Sequence, residues 1–397
     1  MRLKFRFPIV FKRSVGSLES PNASLVDFFN GGSNSAGTPV NASTSVTLSA
    51  VYNSLVILAN SVNVPVDVFK ELSSGDKEKV GGPVQALLDR PSDEKSFTLW
   101  IQLMEMSKNL YGNGYSYIDF SRQGIPRSLI WIHPDFIDVK VDEKTGKRYY
   151  DIHNSTGSIL MENVPSRKMI HFMAFSFDGY VGKSPIVVAA ESLGVALQQQ
   201  KYGASFFKKG SKNDAVLTYP NALDAPAKAQ LKKSLEANRK DGGTLLLEYG
   251  LDYKPISIPP DQAQFIESRK FSVNEVARWF NIPPHMLKDL ERATFSNIEQ
   301  QSIEFVTNNV RPRVRDYEQE FNYKLLGTYD NQYTKFNLSA LLRADIKSRY
   351  ESYSIAIQNR WMNVDEVREL ENANKLPNGE GQKYENPNIT VPDKVDK

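Results

Sequence analysis

The sequence predicts an α+β fold. Apolar residues recur at helical spacing in several segments, short alternating runs bounded by Gly, Pro and Asp read as strands, and the regular β-then-α alternation of a parallel-sheet protein is missing. The chain has 397 residues, enough for two or three domains at roughly 150 residues each. Hydrophobic residues make up 40% and charged residues 24%, so most of the chain has the apolar content to bury cores and should fold.

Residues 1–48 are expected to be a flexible arm, because the stretch after Ser14 is dominated by Ser, Asn, Gly, Thr and Ala and cannot offset the entropy of ordering. Val51, Leu55, Leu58 and Val62 then form one helical stripe that Pro65 stops. Val64, Val66 and Val68 alternate as in a strand, and Phe97, Trp100, Met104 and Tyr111 mark a helix that ends before Gly112-Asn113-Gly114. Strand-like runs follow at Tyr115 to Phe120, Ser128 to Ile132, Ile137 to Val141 and Lys168 to Phe172.

At Ser184-Pro185 an N-cap and a first-turn proline open a long helix toward Lys209, with Ile186, Ala190, Leu193 and Leu197 on one face. A strand, helix, strand, strand insert is expected between Ala215 and Ile258. Ser272-Val273-Asn274-Glu275 reads as a capping box opening a helix that Pro283-Pro284 ends. Ser296-Asn297-Ile298-Glu299 reads as a second box, opening a helix with Val306, Val310, Val314, Tyr317, Phe321 and Leu325 inward, kinked at Pro312. The connection from Pro283 to Phe295 reads as structureless, and its length makes it a functional candidate. Helices from about Ala344 to Gln358 and from Asn363 to Asn372 precede a polar, disordered tail.

Several function classes drop out. The formal net charge is only +3, from 49 Lys plus Arg against 46 Asp plus Glu, which gives no whole-chain attraction to polyanions or membranes. There is no cysteine, hence no disulfide, thiolate metal site or cysteine nucleophile. No window of about 18 uninterrupted apolar residues suggests a membrane span. Gly182-Lys183-Ser184 ends like a phosphate-binding loop, but Phe177 stands where its first glycine belongs. Gly112-Asn113-Gly114 starts like a dinucleotide fingerprint and has Tyr117 at the third glycine. His133, His171 and His285 lack metal-ligand spacing, and no G-x-S-x-G elbow occurs. Basic residues do cluster: Lys201, Lys208, Lys209 and Lys212 at the end of the long helix, and Lys228, Lys232, Lys233, Arg239 and Lys240 in the insert. By themselves these are solvated helix faces.

Taken together in order, certain segments resemble the HK97-like portal proteins of tailed bacteriophages. They include Tyr111-Gly112-Asn113-Gly114-Tyr115, Ile132-His133-Pro134, Ile170-His171-Phe172, Asp178 to Ile186, Lys201-Tyr202 with Phe206-Phe207, Gln264 to Lys270, Ile282 to Leu287, and Ser296 to Gln300. The chain departs from the family pattern at Lys209 before Gly210, and at Arg360 and Asp365 near the end.

The resemblance implies a portal-type fold: a wing over 49–184, a stem helix over 185–210, a clip over 211–258, a second stem segment over 259–281 and a tunnel loop over 282–296. A wing helix and return (297–343), a crown (344–372) and the tail (373–397) complete it. It implies a dodecameric homo-oligomeric ring at one capsid vertex, set in the major capsid protein, present in the virion and in the host cytoplasm during assembly. Double-stranded DNA would pass through it without sequence-specific recognition, and near-neutral charge fits that, since a strongly basic channel would hold phosphates and resist sliding. The clip, with its basic residues, would meet the large terminase subunit and later the head-tail adaptor. The tunnel loop, Lys288, Asp289, Leu290, Glu291, Arg292, Ala293, Thr294 and Phe295, would face the DNA. No catalysis, cofactor, metal or membrane is implied. Two other readings stand beside it: another head-tail connector or interaction protein, and a phage hydrolase with an unrecognised carboxylate site.

Overall fold

The computed structural model describes residues 34–384 except 74–76, 143, 209–214, 219–223, 227–228, 230–251, 256–261, 290–294, 328–330, 339–345 and 372–373. The first ordered turn is α1 (Ala42–Ser45), closed by Asn41 and Thr44 in a reciprocal capping box, and α2 (Ser49–Ser61) follows. The arm expected over 1–48 is therefore packed from residue 34 onward. Val40 is fully buried, and Ser35 donates its backbone N–H to Glu191 across the fold.

Strands β1 (Val66–Glu71) and β2 (Lys77–Lys79), a short α3 (Pro83–Asp89) and α4 (Phe97–Tyr111) lead into β3 (Asn113–Phe120) and β4 (Pro126–Ile132). Ser96 caps α4 through Leu99 N, and Gly112 ends it in the left-handed region at φ 84°. Strands β5 (Ile137–Val141), β6 (Arg148–His153), β7 (Ile159–Pro165) and β8 (Met169–Met173) complete the first half. β6 and β7 went unpredicted because Arg148, Tyr149 and Asp151 blur the alternation in one, while Ile159, Leu160 and Met161 are consecutive exposed apolar residues in the other.

Ser184 caps α5 (Pro185–Val188) as expected, but the long helix is interrupted at Ala189 before α6 (Ala190–Lys208). Of the insert, the described pairing is β9 (Ala215–Thr218) antiparallel to β10 (Asp252–Pro255), which closes its base. One continuous helix, α7 (Gln262–Phe280), runs through the expected capping box. Ser272 is a mid-helix residue whose hydroxyl donates to Ser268 O and to Gln199, so the box is a coincidence of composition. α8 (Phe295–Phe305) passes through a π-turn at Val306–Val310 into α9 (Arg311–Lys324). Pro312 cannot donate to the ladder, and the altered hydrogen-bond register lies directly before it, where the kink was expected. β11 (Gln332–Phe336), α10 (Ile346–Gln358) and α11 (Val364–Leu370) follow. The expected tail begins later than predicted: Pro377–Gln382 forms a turn, and Leu376 N donates to the buried Asp365.

Among the described residues, three three-stranded antiparallel sheets form beside the β9-β10 pair, in the orders β11-β1-β2, β4-β3-β8 and β5-β6-β7. The main core gathers aromatic rings from distant segments: Phe172 stacks on Tyr317 at 3.8 Å, Trp100 meets Phe172 edge-on at 6.2 Å, and Phe321 stacks on Phe336 at 6.0 Å. A smaller core of Tyr115, Ile137, Tyr150, Ile152, Val164 and Met169 joins the β3 and β6 sheets.

Candidate functional site

α6 and α7 form an antiparallel pair. Trp279 donates to Ser192 at 3.4 Å near one end, and Ser272 donates to Gln199 at 2.8 Å further along. Leu193, Ala196 and Leu197 pack with Val276, Ala277 and Phe280 in the main core. This antiparallel order puts the Lys208 end of α6 and the Gln262 start of α7 at one end of the pair and the Pro283-Pro284 turn at the other, roughly 28 Å away for 19-residue helices.

The chain leaves α7 through a locked cap. Asn281 takes the left-handed conformation at φ 52°, its N–H bonds Arg278 O, and Ile282 N reaches back to Ala277 O at 2.9 Å. Pro284–Leu287 then form a 3₁₀ turn closed by Lys288 at φ 68°, with Asp289 N bonded to Pro284 O at 3.1 Å. His285 Nδ1 lies 2.8 Å from Gln301 Oε1 on α8, Asn53 donates to Met286 O, and Asn274 donates to Asp289. The connection expected to be structureless from Pro283 is thus an anchored turn through Asp289. Lys288 is exposed and Asp289 is half-buried. Leu290, Glu291, Arg292, Ala293 and Thr294 lie outside the described residues, and Phe295 opens α8.

The base of this turn is tied to the body by a buried polar network. Asn309, in the π-turn, donates to Phe280 O at 2.9 Å and to Asn281 O at 2.6 Å, and accepts from Arg313 Nε at 2.6 Å. Arg313 also pairs with Glu105 of α4, whose other oxygen accepts from the Tyr317 hydroxyl. Lys108 joins through Tyr317 at 3.3 Å, and burial pushes its ammonium below the usual range while Glu105 opposes that shift. A cleft of about 370 Å³ lies beside the turn, lined by Asn274, Arg278, Asn281, Gln301 and Asn308 among others. Among the described residues no group of three His, Asp or Glu side chains could hold a metal, and no helix is long and apolar enough to cross a membrane.

The glycine motifs that failed as nucleotide loops meet one another. Asn113 accepts from Gly182 N at 2.7 Å and donates to Gly182 O at 2.9 Å, while Ser184 Oγ donates to Leu110 O. A Cβ on Gly182 would stand 2.2 Å from Gly112 O, so the two backbones cross where only glycine fits. His171 completes the junction: Nε2 lies 2.9 Å from Asn113 Oδ1, and Nδ1 lies 3.1 Å from both Arg148 Nη1 and the Tyr150 hydroxyl. Two donors converging on Nδ1 place the ring proton on Nε2. Burial, with Arg148 and Lys324 nearby, holds the imidazole well below its usual pKa and neutral.

Of the other sequence candidates, Lys201 is exposed on α6, and Lys208 ends that helix. Lys209, Lys212, Lys228, Lys232, Lys233, Arg239 and Lys240 lie outside the described residues. Sequence reasoning missed Asn281, Asn309, Arg313 and Glu105. The Asn281-Ile282-Pro283 order is a helix-stop signal that could have found the first, but no local pattern marks the other three.

The sequence matches the family model described as phage portal protein over residues 49–372. It is 30% identical over 370 residues to the probable portal protein of Streptomyces phage phiC31, covering 89% of this chain and 80% of that protein. It is 29% identical over 331 residues to the portal protein of Enterobacteria phage HK97, covering 80% and 76% respectively. The fold resembles an HK97-family phage portal protein from Corynebacterium diphtheriae, with a TM-score of 0.56 at 16% identity over 76% of this chain and 96% of that one. It also resembles a chain from the neck of a native gene transfer agent particle determined with C12 symmetry, with a TM-score of 0.54 at 19% identity over 88% and 98%. With a match spanning its sheets, the α6/α7 pair and the helices beyond, the chain belongs to the phage portal protein family, in its HK97-like branch.

Proposed function

We propose that this protein assembles into a dodecameric ring at one capsid vertex and forms the channel for genome packaging and ejection. The observation that carries the reading is the antiparallel α6/α7 pair in a portal-family fold, which separates the insert from the anchored turn by about the length of one helix. The C12 symmetry of the structurally similar neck supports twelve subunits. One end can thus meet partners outside the capsid while the other faces the channel. The insert is the clip, and its basic residues Lys228, Lys232, Lys233, Arg239 and Lys240 give it charge complementarity to acidic patches on the terminase large subunit and the head-tail adaptor. The remaining 185–210 and 259–281 segments are the stem, the sheets are the wing bordered by the major capsid protein, and 344–372 is the crown.

The tunnel loop, 288–295, contacts moving DNA. Its basic Lys288 and Arg292 and acidic Asp289 and Glu291 suit weak, reversible contact without base readout. The chain is a conduit, not an enzyme, and works in the virion after assembling in the host cytoplasm.

Native mass measurement and imaging of the purified chain test the assembly: rings with a central hole are expected, and a stable monomer at micromolar concentration under all salt conditions refutes it. Deleting Asp289 to Thr294 should leave ring assembly intact and lower the DNA packaged or retained; wild-type DNA content removes the loop's role. Reversing charge at Lys232 and Lys233 should weaken motor docking with rings intact, and normal packaging in that variant would show these lysines to be only a solvated face.

A further inference from the structure

The described chain begins as a strap laid across α6. Asn34 sits on Gly194: a Cβ there would stand 2.7 Å from Asn34 Oδ1, so the helix carries a glycine where the strap crosses it. Glycine weakens a helix interior, and this close approach gives it a reason to be there. Ser35 donates its N–H and its hydroxyl to Glu191, and Ala36 O accepts from Gln198 at 2.8 Å. Glu191 lies near the start of α6 and Gln198 about two turns further on, so the chain followed backwards from Ala36 to Ser35 heads for α5. Exposed apolar surface lies in that direction. Val187 and Val188 of α5 are 52% and 50% exposed, and Phe175 and Phe177, in the loop before α5, are 78% and 74% exposed with ring centroids 5.4 Å apart. Lys183 donates its backbone N–H to Phe175 O, and Val187 N bonds the Ser184 hydroxyl, which joins loop and helix into one surface. Single exposed hydrophobics are ordinary, whereas four large ones on adjoining segments mark a contact site.

The sequence before the strap supplies an occupant. Leu25, Val26, Phe28 and Phe29 are four apolar residues within five, and Asn30, Gly31, Gly32 and Ser33 join them to Asn34. We infer that Leu25, Val26, Phe28 and Phe29 of the same subunit cover the patch of Val187, Val188, Phe175 and Phe177, continuing the strap that Asn34 to Ala36 lay across α6. The reach suffices: the chain from Phe29 to Asn34 spans at most about 17 Å, and Val187 lies only about 6 Å along the helix axis from Glu191. So short a tether holds the segment at an effective concentration of about millimolar, so that even a small apolar contact is populated. The two polar anchors, Glu191 and Gln198, set where the strap lies, and the apolar residues before it supply the burial that the patch lacks. DNA is a poor occupant, because an apolar patch offers phosphates no compensating charge.

The absence of native cysteine makes the test clean. Asp27→Cys and Lys183→Cys, introduced together in the full-length chain, leave every apolar residue of both surfaces in place, and Lys183 is exposed beside the patch. Isotope-labelled and unlabelled chains are mixed in equal amounts before assembly and treated with a short bis-maleimide. The link should form within single chains, read by mass spectrometry as peptide pairs of one isotope composition. Adding Phe28→Ser and Phe29→Ser should slow it at least tenfold with the circular dichroism unchanged. Absence of the link overturns the inference, and so does a rate that the two serines leave unchanged. Pairs of mixed isotope composition would put another copy's segment on the patch and overturn the same-subunit assignment. In a second arm, Val188→Cys alone should react with a maleimide at least tenfold faster once Phe28→Ser and Phe29→Ser are added; equal rates refute the contact.

Discussion

Replacing Arg313 by Met tests whether the network behind the anchored turn holds the fold together. Glu105 is fully buried, and Arg313 is its guanidinium partner; Arg313 also donates to Asn309 at 2.6 Å and to Asn109 at 3.2 Å. Breaking a buried ion pair by removing one member costs about 3–5 kcal/mol, because the other charge is left in a poorly solvating interior. Here the cost should sit near the low end, at about 3 kcal/mol. Lys108 lies in the same pocket, 5% exposed, and removal of Arg313 lifts a repulsion that holds its ammonium down, so a second cation can partly compensate Glu105. Adding Glu105→Gln removes the stranded charge, and the double variant should regain at least about 1 kcal/mol over the single one through their coupling. Urea unfolding followed by tryptophan fluorescence reads this well, since Trp100 is fully buried on the same helix and donates to Ser116 at 3.0 Å. All variants are compared at one protein concentration, because assembly shifts apparent stability by mass action. A loss under about 1 kcal/mol in Arg313→Met, or a double variant no more stable than the single, would refute the reasoning.

Three other outcomes follow from the same geometry. His171 is held neutral in the fold, so below a pH of about 6.5 the unfolded chain binds a proton that the folded one refuses; stability should fall with pH from there, by about 2 kcal/mol at pH 5. In His171→Gln that part of the pH slope should vanish, as measured by urea midpoints at pH 7.5 and 5. Gly182→Ala should abolish soluble expression, because its Cβ meets two backbone atoms, Gly112 O at 2.2 Å and Ala174 N at 2.7 Å, that cannot rotate away; a soluble variant with wild-type melting would show that the crossing relaxes. Asn309→Leu should cost about 2–3 kcal/mol by leaving Arg313 and two carbonyls without their partner, and hydrogen exchange should quicken at residues 281–289 before it does in β3.

Elements with a local cause were legible in the sequence. Ser184-Pro185, Asn363 and Gly112 act where they stand: Ser184 caps α5, Asn363 closes a box with Glu366, and Gly112 supplies the left-handed stop that α4 needs. Ser272 shows the limit of the same logic. A capping box requires a chain break before the Ser, and in α7 the preceding turn, packed on Gln199 of α6, supplies helix instead. β11 was invisible for a related reason: Gln332–Phe336 becomes a strand by pairing with β1, 270 residues earlier at the Val66–Phe336 rung, and Thr334 is buried in it without being apolar. The portal resemblance was legible because its motifs are the crossing of Gly112 with Gly182 and the Asn113 bridge, positions whose residue type is set by backbone approach and not by packing that other side chains could satisfy.

The same distinction explains why the stop of α7 before Pro283 was legible while the supports of the turn after it were not. Asn281 and Pro283 are local stop signals, and the turn they open is complete by Lys288. What holds that turn is not local. Asn309 lies 28 positions beyond Asn281, in a π-turn that exists because Pro312 denies the ladder a donor and leaves one residue to be absorbed. The widened turn carries the Asn309 amide onto the carbonyls that end α7, and Arg313, four residues on, anchors the assembly to Glu105 of α4. The end of α7 is thus linked through Asn309 and Arg313 to the main core, where Tyr317 stacks on Phe172. If the loop meets moving DNA as proposed, residues 281–289 would serve as its base, joined through this network to the larger of the two cores among the described residues.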